Sequence, residues 1–452
     1  MSYQAFVSGK LGVVSPAGLT GDIALPEPMF PHQAALTRWA LRKGRAAIFA
    51  DTGLGKSRMQ IAWADAVHRA INRPILILAP LAVAQQTAQE GQDIGIGIKQ
   101  CADQADVIEG INITNYDRLH RFDASAFGGV VLDESSIIKH HDAKTFTRLT
   151  EAFRSTPYKL CATATPAPND WTELGTHAEF LGVVSRQEML AEFFTHDGGD
   201  TSVWRLKGHA REPFYRWLAS WGMSLKRPSD LGYSDDGYAL PPLEITASLV
   251  PTTFTRPGEL FATTLKGIGD RAAVRKQTLT ERVKAAADII NAEPDEPWIA
   301  WVGLNDEGSE LAARIPGAVL VEGNDTPEHK ADAIESFVRG DCRVIVSKVS
   351  IFGFGLNLQR CARMVFVGLS DSYEAYYQAI RRCWRFGQER PVHAYIVLTE
   401  PEEAIYANVC RKQREAEATA AELVKHVAAF ERAEIGNVGR KEDAPHRQPM
   451  RL

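Results

Sequence analysis

The chain has little that would tie it to an oxidising compartment, a structural metal or a membrane. Its six cysteines (Cys101, Cys161, Cys342, Cys361, Cys383, Cys410) are scattered, with no Cys-x-x-Cys pair. That argues against zinc and against a disulfide framework, and suits a reducing cytoplasm. No uninterrupted apolar stretch is long enough to span a bilayer. Met1-Ser2-Tyr3-Gln4 does not open a basic segment followed by an apolar core, so no secretory signal is expected. A net charge of −5 gives no global nucleic-acid signature; any such binding must use a local groove, which whole-chain charge does not exclude. What is present, 45% hydrophobic and 24% charged residues, is the composition of a soluble globular protein. At 452 residues the chain exceeds one ordinary core, and two or three domains are expected.

The sharpest local signal is Ala50-Asp51-Thr52-Gly53-Leu54-Gly55-Lys56-Ser57. The apolar run Ala46–Phe49 leads into it as a short buried strand. A helical pattern follows, with Met59, Ile61, Ala62, Trp63, Ala66 and Val67 at core-facing spacing. Strand, glycine-rich turn, Gly-Lys-Ser and helix form the context of a phosphate-binding loop. Its glycines let backbone N–H groups close on phosphates, and the helix N-terminus adds positive potential. Lys56 would reach the β- and γ-phosphates of a nucleotide, and the Ser57 hydroxyl would ligate Mg²⁺. An ordinary Gly-rich turn is the alternative; the flanking strand and helix favour phosphate. Just upstream, Phe30-Pro31-His32-Gln33 opens a helix. The Gln33 amide has the donor–acceptor pair that matches adenine; a Gln alone is more often a cap or a surface residue, and its place before the loop brings the two readings level.

Further apolar runs alternate with helical patterns. Ile75–Ala79 ends at Pro80, Val107–Asn115 closes on Tyr116-Asp117, Val130–Leu132 ends in Asp133-Glu134, and Lys159–Thr163 precedes Ala164-Thr165-Pro166. Such alternation indicates a parallel sheet covered on both faces, with ligands at the carboxyl ends of the strands. The acids would then lie beside the phosphate loop, Asp133 holding Mg²⁺ and Glu134 orienting a water for in-line attack on the γ-phosphoryl. A capping acid pair is the plainer reading, and the buried run before it argues for chemistry. From 182 to 275 the rhythm breaks into a segment rich in Trp, Arg, Gly and Pro. Its tryptophans are expected to be core, and its basic residues are left open. From 276 the rhythm resumes, with strands expected at Trp298–Val302, Ala318–Val321, Arg343–Ser347, Met364–Val367 and Val392–Val397. A charged helical pattern past Glu403 runs to about Arg432, before a polar tail expected to lack order.

Together these motifs resemble superfamily II helicases, and within them the Swi/Snf-type translocases. Phe30-Pro31-His32-Gln33 looks like that family's adenine motif, and Asp51–Ser57, with its Gly-Leu-Gly-Lys core, like the first motif. Ala79-Pro80-Leu81, Ile113-Thr114-Asn115-Tyr116, Asp133-Glu134-Ser135-Ser136 with Lys139, and Ala162–Pro166 with Asn169 resemble the motifs that follow. In the second half, Glu322-Gly323 through Ala333-Ile334 and Phe337 resembles the family's Gly…Arg…Ile…Phe pattern. Gly353–Leu358 and Gln378–Gln388 are the strongest matches. The chain departs at Ser135-Ser136, where the family has a small residue and His, at Trp384, where it usually has His, and at Arg381, where it has an acid.

The resemblance implies an α/β fold of two tandem RecA-like (P-loop) domains, each a mostly parallel sheet with helices on both faces. The expected organisation is an N-terminal segment (1–29), a first domain (30–181), an insertion and linker (182–275), a second domain (276–435) and a tail (436–452). It implies a minimal bacterial or phage motor in the cytoplasm, hydrolysing ATP with Mg²⁺ to move along double-stranded DNA. A strand-separating DNA or RNA helicase is the rival, and a non-hydrolysing DNA scaffold a rival of another class. ATP would be held by Gln33, Thr52, Gly53, Leu54, Gly55, Lys56, Ser57 and Gly355, with Mg²⁺ on Ser57 and Asp133. DNA would meet Pro80, Thr114, Asn115 and Lys348. Independently of the family, Arg382 and Arg385, three apart, are expected on one helix face. There they would clamp a γ-phosphate presented by the other domain and stabilise charge in its transition state. A solvated basic helix, or a phosphate grip on DNA, is the alternative.

Overall fold

The computed structural model describes residues 13–80, 83–167, 170–197, 200–251, 275–352, 358–370 and 372–440. The chain divides into two compact units, one formed by Met1–Asp235 with Ala418–Leu452, the other by Asp236–Glu417.

The first unit is built on strands β1 (Arg45–Ala50), β2 (Ile75–Ala79), β3 (Ile98–Gln100), β4 (Ile111–Asn115), β5 (Gly129–Asp133) and β6 (Tyr158–Ala162). A further strand of this sheet lies well downstream. After the antiparallel hairpin of β7 (Phe194–Asp197) and β8 (Asp200–Leu206) comes β9 (Gly222–Leu225), and the sheet order is β3-β4-β2-β5-β6-β1-β9. Every pairing in it is parallel. Strands β2, β4 and β5 are buried along their whole length. This is why they read as unbroken apolar runs rather than as alternation: both faces are covered. The helix Lys56–Ile71 buries Met59, Ile61, Ala62, Trp63, Ala66 and Val67, the stripe its spacing dictates.

Residues 182–235 are more ordered than their composition suggests. Helix Arg186–Phe193, the β7–β8 hairpin and helix Arg211–Ala219 lead into β9, which pairs with β1. Phe193, Phe194, Phe214, Trp217 and Trp221 join the core of the first unit, so these aromatics are structural. At least one basic side chain is structural too: Lys207 Nζ donates to the Ala191 and Glu192 carbonyls at 2.8 and 2.9 Å, neutralising the end of a helix.

The second unit carries β10 (Leu243–Val250), β11 (Trp298–Val302), β12 (Val319–Val321), β13 (Val344–Lys348), β14 (Arg363–Val367) and β15 (Val392–Thr399), in the order β10-β15-β14-β11-β13-β12. All of its pairings are parallel as well. Inside it, Arg282 is wholly buried between two wholly buried acids, with Nη2 2.8 Å from Glu307 and Nε 3.6 Å from Glu402. Breaking such a set by removing one member leaves an uncompensated buried charge.

The last helix, Glu403–Arg440, outruns its expected end. Its residues from Ala418 onward count with the first unit, where Leu423 and Val427 enter the core and His426 stacks on Tyr215 at 4.8 Å. The second unit therefore ends earlier than the sequence suggests, and the helix supplies a strap to the first.

Candidate nucleotide site

In the first unit the carboxyl ends of β1, β5 and β6 bring the sequence-derived residues to one edge. Beyond β1 the chain turns through Gly53 (φ 90°) and Gly55 (φ 80°), both in the left-handed region that glycine tolerates. Gly55 is tightly boxed: a Cβ there would lie 2.2 Å from Gln33 Nε2. The loop is closed from within. Lys56 Nζ donates to the carbonyl of Ala50 at 2.9 Å and lies 3.4 Å from that of Asp51, while the Thr52 N–H donates to Asp51 Oδ1 at 2.6 Å. Lys56 and Ser57 are the first two residues of the helix that follows.

Gln33 does lie against this loop. Its Nε2 donates to the Leu54 carbonyl at 3.1 Å, and its Oε1 accepts from the Phe30 N–H at 3.2 Å. One amide hydrogen and one lone pair remain for a ligand, so Gln33 ties the entry of its helix to the loop whatever else it binds. His32 beside it is buried, and burial holds its imidazole below the usual range.

Asp133 ends β5. It is buried and accepts a 2.7 Å hydrogen bond from Gln60 Nε2. Burial, and then the charge of Glu134, push its carboxyl up to about 7, against the Gln60 hydrogen bond and the charge of Lys56. A divalent cation would reverse that balance, and Ser57 with Asp133 is a donor set of hard oxygens that suits Mg²⁺.

Glu134 has φ 49° and ψ 51°, one of two non-glycine residues in the left-handed region among the described residues. For a glutamate that conformation costs on the order of 1–3 kcal/mol and needs support from its surroundings. The support is visible on both sides. Tyr116 Oη donates to the Asp133 carbonyl at 2.5 Å, Ile137 N–H to the Glu134 carbonyl at 3.2 Å, and Thr163 Oγ1 to Glu134 Oε2 at 3.4 Å. Thr163 Oγ1 also accepts from the Thr165 N–H at 3.2 Å. The Thr163-Ala164-Thr165 stretch is thereby joined to the acid pair.

Other residues stand elsewhere or serve the fold. Pro80 follows β2 and is half-buried. Thr114 and Asn115 are buried, the first donating from Oγ1 to the Cys101 carbonyl at 2.8 Å, the second accepting from the Arg118 N–H at 3.0 Å. These hydrogen bonds are made inside the first unit. Lys348, at the end of β13, lines a cavity of about 220 Å³ in the second unit with Arg275, Gly303, Ser350, Gly368 and Ser370. Gly355, Leu81 and Asn169 lie outside the described residues.

The two arginines do not share a helix face. Helix Tyr373–Ile380 ends before them and is capped by Arg381. Arg382 is buried, donating from Nε to the Gln378 carbonyl at 2.9 Å and from Nη2 to Gln378 Oε1 at 2.7 Å, whereas Arg385 is only half-buried. Arg381 and Trp384, the two departures of this motif, occur as a pair. The Arg381 guanidinium lies 4.5 Å over the Trp384 ring, and Trp384 Nε1 donates to the Pro241 carbonyl at 2.7 Å. The cation rests on the aromatic face.

Sequence reasoning missed His177, which is wholly buried with Nε2 3.1 Å from Ser135 Oγ. A lone His within a helical pattern offers no signal of that contact.

Residues 307–387 match the model of the helicase conserved C-terminal domain. Among solved structures, the Sulfolobus solfataricus SWI2/SNF2 ATPase core in complex with dsDNA is similar, at 17% identity over 94% of this chain and 98% of that one, with a TM-score of 0.43. No curated protein matches the sequence. Each unit is thus an α/β body on a parallel sheet, the first with a glycine loop and an acid pair at its carboxyl edge, and the second contains the region that matches the helicase conserved C-terminal domain.

Proposed function

We propose that the protein is an ATP-dependent motor that moves along double-stranded DNA. The observation that carries this reading is the single sheet edge on which Lys56, Asp133, Glu134 and Thr163 are assembled around a glycine loop. In this reading the loop N–H groups and Lys56 bind the β- and γ-phosphates. Ser57 and Asp133 hold Mg²⁺, which supplies charge neutralisation at the phosphates. Glu134 orients the attacking water and takes its proton. Thr163, bonded to Glu134, passes the state of the γ-phosphate to the segment that follows β6. Arg385 offers its guanidinium to the γ-phosphoryl in the transition state, and Arg382, bound by Gln378, holds the turn that presents it. Gln33 spends its remaining donor and acceptor on the adenine edge. Lys348 faces a backbone phosphate.

The test is ATPase activity titrated with single-stranded DNA, double-stranded DNA and RNA. Stimulation greatest with double-stranded DNA is expected. Activity indifferent to all three overturns the reading, and greatest stimulation by RNA or single-stranded DNA transfers it to a strand-tracking helicase.

A further inference from the structure

The acid pair is followed by Ser135-Ser136, where the motif it resembles has a histidine. The structure nevertheless places a histidine against this turn, from another part of the chain. His177 lies on helix Leu174–Leu181, just after the segment that carries Thr163-Ala164-Thr165. Its Nε2 is 3.1 Å from Ser135 Oγ, and both residues are wholly buried. The carbonyls of Ser135 and Glu173 also lie against the ring. On its other side the ring meets Phe49 edge-on, centroids 5.3 Å apart. Phe49 is in β1, one residue before Ala50, whose carbonyl holds Lys56. His177 thus touches the strand that feeds the phosphate loop and the residue next to Glu134.

Ser135 is the first residue of the short turn that starts at Glu134. Glu134 can keep its left-handed backbone only if its neighbours are fixed, because the conformation is not one a glutamate holds by itself. On the Asp133 side the Tyr116 hydroxyl provides the anchor. On the Ser135 side, beyond the Ile137 N–H that bonds the Glu134 carbonyl, stands His177. Burial keeps the imidazole neutral at neutral pH, its pKa lowered to about 4. A neutral ring offers one N–H and one bare nitrogen, and Ser135, with a hydroxyl and a carbonyl, can meet either.

We infer that His177 is a positioning residue for ATP hydrolysis: through Ser135 it holds Glu134 in its left-handed conformation, replacing from a distant helix the histidine that the acidic motif lacks. The inference rests on Glu134 being the water-orienting acid.

Four variants test it: His177→Leu, His177→Gln, Ser135→Ala and Glu134→Gln, each assayed for kcat, KM for ATP, nucleotide affinity and thermal midpoint. Gln places a polar group near the Nε2 position, whereas Leu fills space without one. Expected for His177→Leu and Ser135→Ala is a kcat lowered by about 10–100-fold, the usual loss when a group that orients a functional residue is removed. KM and nucleotide affinity should stay within about twofold, and His177→Gln should recover most of kcat. A fifth protein that combines His177→Leu with Ser135→Ala should be no worse than the poorer single, because both changes cut one link. Should His177→Leu fail to fold, Ser135→Ala still decides. An undiminished kcat in Ser135→Ala overturns the inference. So does equal loss in His177→Gln and His177→Leu in step with the thermal midpoint, which marks a packing role alone. If Glu134→Gln keeps its turnover, the reading beneath the inference fails and takes it along. If Glu134→Gln is inactive and Ser135→Ala is not, the inference alone fails.

Discussion

Glu134 and Arg385 are the two side chains on which the proposed chemistry is most exposed to test. Glu134→Gln keeps the shape of the side chain, and glutamine accepts the Thr163 hydroxyl as the carboxylate does, but it has no charge to take a proton. Nucleotide binding should survive and turnover should fall to background, measured by equilibrium binding beside steady-state hydrolysis. Turnover unchanged removes Glu134 from its role. Arg385→Ala should cut stimulated hydrolysis by about 10³–10⁵, the range for a guanidinium that acts in the transition state, with ATP affinity intact. Collapse of affinity with an unaltered rate per bound ATP would make Arg385 a ground-state ligand. Arg382 calls for a different expectation: its guanidinium is buried on Gln378. The sequence placed both arginines on one helix face because three residues separate them. It could not show that the helix stops at Ile380, since nothing between Gln378 and Arg385 is a glycine or proline.

At the scale of elements, the strap formed by the end of the last helix carries a pH-sensitive group. Glu431 is wholly buried, its Oε1 accepting from the Ser224 N–H at 2.6 Å at the β9 edge. Burial pushes its carboxyl well above the usual carboxylate range. The folded first unit therefore keeps this proton where the unfolded chain has lost it. The stability it contributes is fully present below the unfolded carboxyl's pKa and is lost as pH rises toward the folded one. Glu431→Gln keeps the acceptor for Ser224 without the charge. It should raise the thermal midpoint at pH 8 relative to the parent and flatten its decline between pH 5 and 8. A parallel decline in both proteins would mean that Glu431 does not carry the effect. The strap was hidden in the sequence because a charged helix with one apolar stripe gives the stripe's spacing and not its partner. Strand β9 was hidden by brevity: Gly-Met-Ser-Leu has neither a run nor an alternation to read.

For the whole molecule, a net charge of −5 provides no general attraction to DNA, so the proposed binding would come from local phosphate contacts and would weaken steeply with salt. Stimulation of hydrolysis by double-stranded DNA should fall as salt rises while unstimulated hydrolysis changes little. Translocation and unwinding are separated by two displacement assays. Release of a triplex-forming strand without opening of a forked duplex is the expected result. Efficient opening of the fork would make the protein a strand-separating helicase.

The sequence alone named the residues that meet at the first-unit edge. Buried strands write themselves as apolar runs, and a run that ends in Gly-Leu-Gly-Lys-Ser or in Asp-Glu has few uses. It determined the α/β class for the same reason. Only the tertiary structure decided which residue supports which: that Gln33 packs on Gly55, that Thr163 reaches Glu134, and that His177 stands against Ser135. Those contacts join residues 22, 29 and 42 positions apart. No local pattern encodes such separations, because they are set by strand order, and strand order is fixed by packing both faces of a sheet.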